Sequence, residues 1–184
     1  MDESRLNIPE CLRAWHFAGI RHFFIEKKEK SNFSLQDQPS TWKAPWCEFF
    51  SKVPPTAFLF FTYYDLGKDL AGLGNSDRRT FWRRFIPFFH LPKGSIAFWP
   101  LAIFSQSTYQ VQISDFFKTI AFFTPSLVAC FGDDCEQSIK QTLPLQNIPR
   151  PKLLFFPHIE LLFQSTDHEL SLISKQILSQ LMSR

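Results

Sequence analysis

A three-layer α/β/α fold around a central, mostly parallel four-stranded sheet is predicted by three observations in this sequence of 184 residues. Four runs rich in β-formers, at 57–64, 95–99, 127–131 and 153–156, are each too short for a stable helix. Stretches of helical period follow them, at 77–89, 115–123, 134–142 and 167–182. The strict alternation of the two implies crossover connections, which make parallel pairs and put helices on both faces of the sheet.

The chain opens with an element of a different kind. Pro9 suits a first helical turn, Leu12, Trp15 and Phe17 supply an apolar surface, and Gly19 is placed to end a helix. Residues 20–25 read as extended, and Lys27, Lys28 and Lys30 with Glu26 and Glu29 form a solvated charge run. Residues 31–44 have the polar, proline-bearing composition of a linker, and Trp42, Trp46, Phe49 and Phe50 resume apolar character around a short helix. Residues 1–53 therefore read as an N-terminal helical and extended segment with a linker, packed on or docking from the domain at 54–184.

Within that domain the strand at 57–64 leads into a polar, glycine-bearing loop and the helix at 77–89, with Ser76 as N-cap. On this helix Phe81, Trp82, Phe85, Ile86 and Phe89 share one arc, while Arg79, Arg83 and Arg84 lie outside it. The strand at 95–99 is followed by a variable loop and the helix at 115–123, capped by Ser114. After the strand at 127–131, Asp133 and Glu136 stand at capping-box spacing before the next helix. The strand at 153–156 runs through Pro157 and His158 into a turn and the last helix. There Thr166 and Glu169 form a second capping box, and Leu170, Ile173, Ile177 and Leu181 recur on one face. No internal repeat is present.

Composition narrows the function classes. With 23 Phe, phenylalanine carries much of the core packing. A net charge of only +3 means that affinity for polyanions depends on local clustering of cations. The four cysteines, Cys11, Cys47, Cys130 and Cys135, have no zinc, iron–sulfur or redox spacing, so no metal or cofactor is expected, and they read as reduced thiols of a cytoplasmic protein. The first ten residues lack the form of a signal peptide. No apolar window is long enough to span a bilayer, so a soluble protein without membrane partners is expected.

In an open parallel sheet the crevice at the carboxyl ends of the strands is where ligands bind, which directs attention to residues 63–76. Asp65 at the end of the first strand reads either as a water-orienting carboxylate or as a turn residue, and Tyr64 as a stacking surface for a base. Arg78 falls on the apolar azimuth of its helix but in the first turn, where it projects past the packed region toward the crevice. With Arg79 it reads as a phosphate contact at a positive helix end, or as part of a basic surface helix paired with Asp77. His158, beyond the fourth strand, reaches the same crevice as an oxyanion donor, or serves as a cap. No Walker, G-x-S-x-G or dinucleotide fingerprint occurs.

The stretches AFLFFTYYDLGKDLAG, FFTPSLVACFGDDCEQSI and LLFFPHIELLF resemble the uracil-DNA glycosylase superfamily, in its first catalytic motif, its helix and Pro-bearing strand, and its histidine motif. The resemblance spans 54–184 and implies a three-layer fold that acts on or binds DNA, in DNA repair, by extruding a base and hydrolysing its glycosidic bond. On that basis Asp65 is the water-orienting residue, His158 the anion stabiliser, and Tyr64, Arg78 and Arg79 the nucleic-acid contacts. The motifs are degenerate: neither Gly-Gln-Asp-Pro-Tyr nor Gly-Glu-x-Pro-Gly is present, FWPL holds no Asn, and Pro157-His158 stands where the family has His-Pro-Ser.

A second likeness points to DNA replication. LRAWHFAGIRHFFIEKK is similar to the amino-terminal segment of the psi subunit of bacterial DNA polymerase III, and FLFFTYYDLGKDLAG with RRFIPFFHLPKGSIAFWPL to its first strand, helix and second strand. Psi is a non-catalytic adaptor whose amino-terminal segment docks on the clamp loader while its body binds the chi subunit. This likeness implies clamp-loader subunits as partners, with Trp15 and Phe23 in the docking peptide. Trp15 read without it is a core anchor.

Overall fold

A computed structural model describes residues 44–105, 108–142 and 151–182, which lie within one compact unit extending over 37–184. Trp15, Phe23, the first helix, the extended stretch, the charge run and most of the linker fall outside the described residues.

Helix α1 (Trp46–Ser51) precedes strand β1 (Leu59–Tyr63), the short helix α2 (Leu66–Leu70) and helix α3 (Ser76–Phe85). Strand β2 (Ile96–Phe98), the hairpin strands β3 (Ala102–Ser105) and β4 (Thr108–Val111), and helix α4 (Ile113–Phe123) come next. Strand β5 (Leu127–Phe131), helix α5 (Asp133–Thr142), strand β6 (Lys152–Phe156), the turn α6 (Ile159–Leu162) and helix α7 (Asp167–Met182) complete the fold.

The four predicted strands form one sheet in the order β2-β1-β5-β6, and every pair is parallel. Leu59 stands opposite Ile96 on one side and Leu127 on the other, and Tyr63 opposite Phe131. The period of two in β1 and β5 divides their side chains between two cores. Leu59, Phe61, Leu127, Ala129 and Phe131 face α3 and α7, where they pack with Phe81, Phe85, Leu170 and Ile177. Phe60, Val128 and Cys130 face α1, α4 and α5, where they meet Trp46, Phe116, Ile120 and Ile139. These are the three layers of the predicted α/β/α fold, and β1 and β5, covered on both faces, are buried throughout as interior parallel strands must be. Phenylalanine does supply much of this packing: Phe61 alone touches the rings of Trp82, Phe85, Phe89, Phe98 and Phe131.

Several boundaries shift for identifiable reasons. Helix α3 starts one residue early because Asn75, not Ser76, is its N-cap, the Asn75 side chain accepting the Asp77 N–H at 2.7 Å. It ends at Phe85 because Pro87 lacks an N–H, and the chain continues as a 3-10 turn (Ile86–Phe89) closed by left-handed His90. Helix α4 begins after Gln112 rather than Ser114. The variable loop after β2 holds the antiparallel hairpin of β3 and β4, with Phe104 opposite Tyr109. The loop at 63–76 contains α2, whose Gly67 lies so near β3 that a Cβ would come within 2.2 Å of the Ala102 carbonyl oxygen. Among the described residues no helix is long and apolar enough to cross a membrane.

Candidate functional site

The order β2-β1-β5-β6 makes the chain reverse direction about β1: its first crossover leads to one side and its second to the other. The point between β1 and β5 is where the connections diverge, which opens a crevice at the carboxyl ends of those strands. A cleft of about 240 Å³ lies there, lined by Tyr63, Tyr64 and Asp65 after β1, Phe131 and Asp134 after β5, and His158 and Glu160 after β6. Tyr64, Asp65 and His158, chosen from the sequence and spread over 95 positions counting both ends, thus line one cavity.

Arg78 reaches this end of the sheet from the first turn of α3, and there its guanidinium is held by carboxylates. Its Nε donates to Asp69 Oδ2 at 2.8 Å and its Nη2 to Asp69 Oδ1 at 2.9 Å, a bidentate pair. Its Nη1 lies 2.8 Å from Asp65 Oδ2 and donates to Glu160 Oε1 at 3.0 Å. The side chain is only 7% exposed. The Asp69 hydrogen bonds raise its pKa above the ordinary arginine value, followed by those of Glu160 and the nearby negative charge. One buried cation therefore ties together the end of β1, the helix α2 and the turn α6, and it forms no pair with Asp77 in this arrangement.

Two tyrosines complete the network. The Tyr63 hydroxyl donates to Asp69 Oδ2 at 2.7 Å, and burial, reinforced by that bond, pushes its pKa well above the usual phenol value. Tyr109, from β4, donates to Asp65 Oδ1 and stacks obliquely on Tyr64 with ring centroids 5.0 Å apart. Its pKa is pushed up to about 12, first by burial and then by the Asp65 hydrogen bond. Both oxygens of Asp65 are accordingly engaged, one by a phenol and one by a guanidinium.

His158 occupies the N-cap position of α6, but its side chain forms no cap hydrogen bond. The imidazole instead lies against Gly132, where φ is +99° and an added Cβ would stand 2.7 Å from Nδ1. Arg79 is placed elsewhere. It is exposed and lines a separate groove beside Trp82 and Phe98, outside the cleft that holds Asp65 and His158.

Glu160 and Tyr109 were not among the residues chosen from sequence. Glu160 carried a faint signal, two residues after His158 on the same strand exit. Tyr109 carried one as well: the β-formers of 108–111 follow those of 102–105 after only two residues, which is hairpin spacing. Among the described residues no group of three or more His, Cys, Asp and Glu side chains is arranged to hold a metal ion. Cys130 and Cys135 are buried free thiols, and burial pushes the Cys130 thiol pKa up. Comparison with known proteins finds no matching family model and no curated protein of significant similarity.

Proposed function

We propose that this chain is a non-catalytic adaptor of the DNA replication and repair machinery, built on a uracil-DNA glycosylase-like fold in the manner of the DNA polymerase III psi subunit. The observation that carries this reading is the engagement of Asp65. A carboxylate that orients a hydrolytic water must direct a lone pair at the substrate. Here one oxygen accepts from Tyr109 and the other lies 2.8 Å from Arg78, so the group works as a structural acceptor. The cleft also presents Asp65, Asp134 and Glu160, and the Arg78 guanidinium behind them is already neutralised, so such a rim repels a phosphodiester backbone. In the adaptor reading the body is a folded platform, and the segment around Trp15 and Phe23 docks on clamp-loader subunits.

Co-purification tests it. The full chain is expected to retain clamp-loader subunits from the source cell, and Trp15→Ala with Phe23→Ala to abolish that recovery while the thermal melt is unchanged. Equal recovery by the double variant rejects the docking role.

A second reading, base excision, is favoured by one observation: Tyr64, Asp65 and His158 share a cleft of about 240 Å³. This is smaller than the roughly 300–1,000 Å³ of sites for drug-sized ligands and suits a single heterocycle. In that case Asp65 orients water with its remaining lone pairs, His158 donates to the departing base anion, and the exposed Arg79 approaches DNA, while Arg78 stays buried among its carboxylates. Incubation with uracil-containing single- and double-stranded oligonucleotides separates the two readings. The adaptor reading expects no free uracil. Release that Asp65→Asn and His158→Ala both suppress establishes excision instead.

A further inference from the structure

A second concavity, of about 250 Å³, lies between α2, α3 and the end of β2. Leu66, Leu70, Trp82, Ile86 and Phe98 make its lining largely apolar; Arg79 and Arg83 line it as well, and its one carboxylate, Asp69, is already paired with Arg78. We propose that this groove docks an acidic peptide segment, which inserts one apolar side chain between α2 and α3 and sets its carboxylates on Arg79 and Arg83. The site shares Tyr63 with the cleft of Asp65 and His158 but uses neither of those residues nor the amino-terminal segment, so it stands independently of the adaptor reading.

Charge complementarity identifies the occupant. Arg79 and Arg83 are one helical turn apart on α3, about 5–6 Å between Cβ atoms, and both are exposed. Neither guanidinium has a hydrogen bond or ion pair among the described residues, whereas the adjacent Arg84 lies 3.2 Å from Asp167 and Arg78 is surrounded by carboxylates. Two unpaired guanidinium forks flanking an apolar slot offer bidentate seats for carboxylates next to a seat for a hydrocarbon. The volume admits one large side chain, as helix-in-groove and extended-peptide docking require.

The aromatic residues argue for peptide over single-stranded nucleic acid. Binding of unpaired bases relies on exposed ring faces. In this groove Trp82 is 7% exposed, stacked on Phe61 at 5.2 Å and on Tyr63 at 5.8 Å, with the edge contact of Phe98 at 4.9 Å. Its π-faces are already used within the core, so the groove offers hydrocarbon edges rather than a stacking platform.

Fluorescence anisotropy with the full chain tests this, using fluorescein-labelled acidic hexapeptides that differ only in carrying Phe, Leu or Ala at the last position. A labelled oligothymidylate serves as the competing probe. The Phe or Leu peptide is expected to bind, with affinity that falls as salt rises, and the Ala peptide to bind at least about tenfold more weakly. Arg79→Ala with Arg83→Ala is expected to weaken binding by at least about tenfold without changing the thermal melt. Arg79→Glu with Arg83→Glu should transfer the preference to the same peptides with Lys in place of their acids. Absence of binding by every peptide, indifference to the last residue, or indifference to the arginine substitutions overturns the proposal. Preferential binding of oligothymidylate through the same arginines overturns it too and assigns the groove to nucleic acid.

Discussion

At Gly132 the backbone takes φ +99°, and the imidazole of His158 occupies the space that any side chain there would need. The contact couples the end of β5 to the end of β6. Gly132→Ala is expected to cost about 1–2 kcal/mol from the left-handed backbone alone, and to push the ring of His158 into the cleft. Chemical unfolding reads the first effect and a shift of the His158 imidazole resonances reads the second; an unmoved resonance would contradict the packing. Tyr109 makes a second prediction. Its folded pKa of about 12 lies above the ordinary phenol value near 10, so the fold favours the neutral form. That contribution is complete below about pH 10 and is lost as pH rises through about 12. Ultraviolet titration should show late ionisation for Tyr63 and Tyr109, and Tyr109→Phe should remove the transition near pH 12. At this scale the strand ends were legible, because Asp65 and His158 follow directly on apolar runs. Glu160 and Tyr109 were less so, since their partners, Arg78 and Asp65, lie 82 and 44 positions away in the chain, respectively.

Among the elements, α7 shows how much a local signal can carry. The Thr166 and Glu169 pair predicted as a capping box forms one: the Thr166 N–H donates to Glu169 Oε2 at 2.7 Å, and the Glu169 N–H to the Thr166 hydroxyl at 3.3 Å. The Thr166 backbone hydrogen bond, followed by that of its hydroxyl, draws the Glu169 pKa below its usual value. A depressed carboxyl pKa stabilises the fold above the unfolded value and loses that contribution as pH falls through the folded one. Thr166→Ala should therefore lower stability at neutral pH and flatten the acid limb of stability, which urea titrations across that range would measure. Elsewhere the signals conflicted. The run 77–89 has one apolar arc throughout, yet Pro87 divides it into helix and 3-10 turn. Helix α2 has only five residues, too few for a period to show, and its place is fixed by Gly67 against β3 rather than by propensity.

Across the whole molecule, two aromatic cores hold the sheet from either side, and the buried Arg78 joins three segments at its carboxyl end. Removing a buried cation leaves Asp65, Asp69 and Glu160 facing one another without compensation. Arg78→Ala is expected to lower stability by roughly 3–5 kcal/mol. Combining it with Asp69→Asn should recover part of the loss; simple additivity in denaturant melts would show that the bidentate pair is not coupled. The layered architecture was legible because alternating short apolar runs and amphipathic stretches admit few arrangements. The convergence of carboxylates on one guanidinium was not, because it depends on crossovers that a single sequence does not display.

The central place of β1 has a further consequence during synthesis. Its partner on one side, β2, emerges from the ribosome within about 40 residues, whereas β5 follows only after the hairpin and α4 have been made. Until then the segment Leu59–Tyr63, which is buried along its whole length in the fold, presents an unsatisfied edge. A stalled or truncated nascent chain ending before residue 127 is thus a template for intermolecular pairing, and vectorial production of this protein calls for chaperone cover over that interval.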